Sequence, residues 1–144
     1  MKTFLFLSLF LVGQLFAQRT TVSIIQLIAS PEKYDGKVVR LEGVTNIEFE
    51  GNGIYLSKEH WKADVQSFAI WMDLSEELEK GRKWLNGKYC IVEGTFHATD
   101  RGHMGLYMGS LSNISMFDVR ESITPDETKK LQTEAKQGMV LSDQ

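Results

Sequence analysis

The 144-residue sequence has one cysteine, two prolines and three histidines. A single thiol rules out a disulfide within the chain and a zinc site built from several thiolates. Few prolines and the absence of a low-complexity tract argue against a disordered or collagen-like chain. A bilayer crossing needs roughly 20 consecutive apolar residues, and the apolar run from Phe4 to Val12 falls well short of that. Positive charge is not in excess either: 16 Lys and Arg stand against 19 Asp and Glu, a net charge of −3. The basic footprint that gathers nucleic-acid phosphates is therefore missing. What remains is 42% hydrophobic and 24% charged, a globular balance at a length that sets one core as the ceiling.

The opening MKTFLFLSLFLVGQLFAQ has one early cation, Lys2, then the short apolar run, then Ala17 before polar residues. This is the pattern of a secretory leader over residues 1–17, with cleavage expected after Ala17. Leu15, the third residue before the cut, is bulkier than the small residue usual there, which leaves a shifted cut or an uncleaved anchor as the alternative. No cysteine follows the run, so a lipoprotein anchor is excluded. The expected location is periplasmic or extracellular, with no stable membrane insertion after cleavage, and the mature chain is one unit more negative because Lys2 leaves with the leader.

Residues 18–35 are expected to hold an N-terminal helix. Ser23 and Gln26 have capping-box spacing, Ile24, Ile25, Leu27 and Ile28 supply an apolar stripe, and Ser30-Pro31 interrupts it. Strands are predicted over Lys37–Glu48 and Asn52–Ser57, joined by the hairpin loop EFEGNG. KEHWKADVQS, Lys58 to Ser67, reads as a long loop holding at most one helical turn capped by Ser57. Phe68–Leu74 reads as a strand covered on both faces, Ser75–Leu85 as a short helix, and Lys88–Phe96 as a fourth strand. The loop His97–Gly105 then leads to a fifth strand from about Leu106 to Val119. Residues 120–144 carry a helix-start signal at Thr124-Pro125 but only a thin apolar stripe, so a partly helical or disordered tail is expected.

Two segments match: DGKVVRLEG from Asp35 and NGKYCIVEG from Asn86. Superposing them puts Val39, Leu41, Cys90 and Val92 on one face, and Arg40, Glu42 and Glu93 on the other, which should be the outer one. The glycine closing each segment suits a sharply coiled sheet.

The order strand, strand, strand, helix, strand, strand resembles the OB-fold, a five-stranded Greek-key barrel, over residues 36–119. The phrases YDGKVVRLEG, IYLSKEHW, FAIWMDL, LNGKYCIVEGTF and GHMGLYMGSLSNI resemble a group of small exported bacterial OB-fold-like proteins of unassigned activity. The fold expectation is thus an all-β barrel with an N-terminal helix and a helix between strands three and four. The resemblance implies a shape and supplies no catalytic residue or cofactor.

Ligands of such barrels usually meet the outer face of strands two and three and the two flanking loops. Alternation turns Tyr55, Trp71 and Asp73 outward there, and the later loop contributes His97, Arg101 and His103. Tyr55 with Trp71 could form an aromatic platform, unless the N-terminal helix covers it. Glu48 and Glu50 in the hairpin make the rim acidic, which disfavours phosphate and points to a peptide, glycan or protein bound by a monomer or weak oligomer. Two rivals belong to other classes. A small metal-dependent hydrolase would use His60, His97, His103 and Asp100, and requires them to converge. A structural envelope component would bury the aromatics and have no groove. Cys90 on the inward face is read as an inert core thiol, and the glycines of GHMGLYMG as turn and bulge residues, since the Lys and Ser/Thr of a phosphate loop are missing.

Overall fold

The computed structural model describes residues 19–120 except Phe49, and at residues 82 and 83 the backbone alone. The expected leader and C-terminal tail lie outside the described residues. Among the described residues are strands β1 (Thr20–Thr21), β2 (Val38–Asn46), β3 (Gly53–Tyr55), β4 (Ala69–Met72), β5 (Tyr89–His97) and β6 (Ser110–Val119). Helices α1 (Ile24–Ala29), α2 (Lys58–Lys62) and α3 (Glu76–Arg82) sit between them. The strand order is β1-β2-β3-β4-β6-β5, and β5 returns to pair with β2. Strands β2 to β6 therefore close into a five-stranded barrel with the OB-fold order, with α3 between its third and fourth strands. No helix among the described residues is long and apolar enough to cross a membrane.

The two matched segments turn out to be antiparallel neighbours: Val39 lies opposite Gly94, Leu41 opposite Val92, and Gly43 opposite Cys90. Their alternation sorts as expected. Val39, Leu41, Cys90 and Val92 are fully buried among Ile54, Ile70, Met72, Phe96 and Leu111, each large side chain contributing about 1.5–3 kcal/mol on burial. Both segment-ending glycines sit where another strand crosses tightly. A Cβ at Gly43 would lie 2.5 Å from the Tyr55 carbonyl oxygen, and one at Gly94 2.7 Å from that of Ser112. At Gly94 the β5–β6 register also shifts, so the barrel coils at these two points.

Helix α1 starts on the capping box: the Gln26 N–H donates to Ser23 Oγ at 3.1 Å and the Ser23 N–H to Gln26 Oε1 at 2.8 Å. It drives Ile24 and Leu27 into the core and stops before Pro31. Residues 18–35 are not helix alone, however. Thr20 and Thr21 pair in parallel with Val39 and Arg40, filling the part of the β2 edge that the short β3, paired at Val44 to Asn46, leaves vacant. Two residues are too few to show a period, so alternation could not reveal β1.

Three boundaries also move. The third barrel strand is Ala69–Met72, with Phe68 in a 3-10 turn and 40% exposed. The fifth begins at Ser110, because the preceding loop extends through Gly109, whose φ is +138°. The polar stretch after Ser57 is helical over Lys58–Lys62, with Ser57 as its cap. Glu93 is on the outer face as expected but is buried rather than solvated, because Arg40, Ser115 and Arg19 cover it.

Candidate functional site

A half-open cleft of about 440 Å³ lies beside the barrel, between the β2–β3 hairpin loop, α2 and the β5–β6 loop. This is the region flanking strands two and three where OB-folds take ligands. Its walls include Asn46, Glu48 and Glu50 from the hairpin, Trp61 and Asp64 from α2 and its end, and Tyr107 from the far loop.

Each wall is locally fixed. Helix α2, capped by Ser57, carries Trp61 inward, where its Nε1–H donates to Asn46 Oδ1 at 2.9 Å. The Asn46 amide in turn donates to the Gly51 carbonyl at 2.9 Å, tying the helix to the hairpin loop. Asp64, just past the helix, accepts the buried Tyr55 hydroxyl at 2.8 Å. Burial first, then this hydrogen bond, pushes the Tyr55 phenol far above its ordinary range, so it remains a donor. Burial likewise raises Tyr107, partly offset by its contact with Tyr55. Tyr107 packs edge-on to Trp71, centroids 5.2 Å apart. Across the mouth, His103 Nε2 stands 3.8 Å from Glu50 Oε2. Two non-glycine residues at positive φ line the cleft, Glu50 (59°) and Asp64 (50°), conformations that each cost of order 1–3 kcal/mol and concentrate at functional sites.

Of the residues expected at the site, His103 and the rim glutamates Glu48 and Glu50 line the cleft, whereas Tyr55, Trp71, Asp73, His97 and Arg101 do not. Tyr55 points out of the barrel as expected but is buried there, and Trp71 is half-covered. The cover is not the N-terminal helix: Tyr107 and Trp61 pack on this pair from outside the barrel, and Gly102 lies against the Trp71 ring. The open aromatic platform is therefore corrected to a closed outer cluster. Arg101 is a loop tie, its Nε–H donating to the Tyr107 carbonyl at 2.7 Å. His97 pairs with Ser112 Oγ at 2.7 Å on the barrel wall, and Asp73 is exposed beyond the end of β4.

Nor do the groups named for a metal converge. His60 bonds Ser57 and stacks near Phe68, His97 bonds Ser112, and His103 faces Glu50. Asp100 clasps its own loop, accepting from Ser110 Oγ at 2.8 Å and the Gly102 N–H at 3.1 Å, and these two donors hold its carboxyl below the usual range. Among the described residues no three His, Cys, Asp or Glu side chains are grouped to hold a metal ion. Sequence reasoning missed Asn46, Trp61, Asp64 and Tyr107 as wall residues. The Ser57 cap was the available signal for Trp61, since it starts the one turn that delivers this side chain.

Comparisons with protein-family models, with curated proteins and with solved structures returned no match.

Proposed function

We propose that the protein is an exported binding module, without catalytic activity, whose cleft takes a non-nucleic partner of the peptide, glycan or protein class. The observation that carries this reading is the cleft itself: a ligand-sized recess at the usual OB position, walled by fixed side chains and by more carboxylates than cations. Glu48, Glu50 and Asp64 oppose one lysine, Lys62, and His103, a field that repels a phosphate backbone. Export rests on the leader-like residues 1–17, and the resemblance to small exported bacterial OB-fold-like proteins is consistent with it.

The test is an array of peptides and glycans beside a deoxythymidine oligonucleotide, probed with wild type and Leu106→Ser. Leu106 lines the cleft and is 46% exposed, so its loss should leave melting unchanged. A peptide or glycan retained by wild type and lost by the variant is expected. Preferential retention of the oligonucleotide, or binding indifferent to Leu106, would overturn the reading.

A further inference from the structure

We infer that the occupant of this cleft is a cationic peptide segment in which lysine or arginine alternates with an apolar residue. This inference rests on the binding-module reading and narrows its ligand class. Three carboxylates share the recess with one ammonium group and one imidazole. Asp64 is pinned by the Tyr55 hydroxyl on one side, so a cation meeting it pays little ordering entropy. Trp61, half-buried and held by Asn46, supplies an aromatic wall of the kind that attracts ammonium and guanidinium groups.

The second half of the recognition is apolar. Leu106, 46% exposed, lines the cleft from the β5–β6 loop. Carboxylates together with the bare Leu106 side chain in one recess match a segment that offers both features within a few residues. A neutral glycan fits less well. It would leave the excess of carboxylates in the recess without a counter-charge.

The probes are the acetylated, amidated peptide Lys-Leu-Lys-Leu, its acidic counterpart Glu-Leu-Glu-Leu, and chitotriose, each titrated into the purified protein by calorimetry. The cationic peptide should bind. Its affinity should fall about tenfold or more when salt rises from about 0.05 to about 0.5 M, and by a similar factor in Glu48→Gln/Glu50→Gln. Both glutamates are exposed, so this variant should melt with wild type. Glu42→Gln, outside the cleft lining and beside Arg120, should bind as wild type does.

Equal affinity for the acidic peptide, or a cationic affinity indifferent to salt and to the two glutamates, would overturn the inference. Chitotriose binding that depends on Leu106, without cationic binding, would also overturn it yet leave the broader binding reading standing. Failure of all three probes in the titration, together with an array on which nothing depends on Leu106, would remove both.

Discussion

Glu93 is the charged side chain that is buried among the described residues, at 3% exposure, and its surroundings explain how it stays ionised. Burial alone would raise its pKa. The Ser115 hydroxyl at 2.9 Å and the Arg40 guanidinium at 2.9 and 3.2 Å, with Arg19 at 3.5 Å, reverse that and hold the carboxyl below the usual range. A depressed folded-state pKa means stability present above the unfolded value and lost as pH falls through the folded one. Glu93→Gln should therefore destabilise by about 1–3 kcal/mol at pH 7. The gap between variant and wild type should shrink in thermal melts below about pH 4. A gap unchanged between pH 7 and pH 3 would show that the carboxylate charge is not what stabilises. Alternation along NGKYCIVEG put Glu93 on the outer face correctly. It could not show that residues from three other places in the chain would roof it over.

Elements differ in how openly the sequence announces them. Strands β2 and β5 are long and one-sided, so period-two alternation exposes them, and the Ser23/Gln26 pair exposes α1. Helix α2 hides because KEHWK has no apolar stripe. It packs Trp61, half-buried, on the outer cluster of Val44, Tyr55, Ala69 and Tyr107 rather than in the barrel core. The β5–β6 loop was legible as a loop, but its path was not, since what folds it back is a set of tertiary contacts. The Trp71 N–H donates to the Gly109 carbonyl and the Met108 N–H to that of Ala69, while Gly102, at φ +62°, leaves no room for a side chain beside Trp71. An alanine there would be strained and would place its Cβ 2.4 Å from Trp71 Cγ. Gly102→Ala should cost about 2–3 kcal/mol and shift the Trp71 indole resonance in an NMR spectrum. A variant with wild-type melting and an unmoved indole signal would show that the loop does not depend on this contact.

At the scale of the molecule, the barrel could be read from the sequence because five strands, one helix and their order were all visible, and an inside-outside sorting follows from them. The cleft could be placed but not furnished: its acidic hairpin was foreseen at Glu48 and Glu50, whereas its other walls come from side chains brought together only by folding. The closed barrel also makes a prediction about its single thiol. Cys90 is fully buried with its sulfur 3.6 Å from Thr45 Oγ1, so a thiol reagent should leave the native protein unmodified and react fully in guanidinium chloride. Rapid labelling under native conditions would contradict the inward face of β5. Finally, β3 is buried on both sides: Ile54 belongs to the barrel interior and Tyr55 to the aromatic cluster outside it. This three-residue strand is a partition between two dry compartments, and the outer one can admit water without flooding the inner. Amide exchange should accordingly run in two tiers, with the layer over Tyr55 opening first and the barrel seams only on global unfolding.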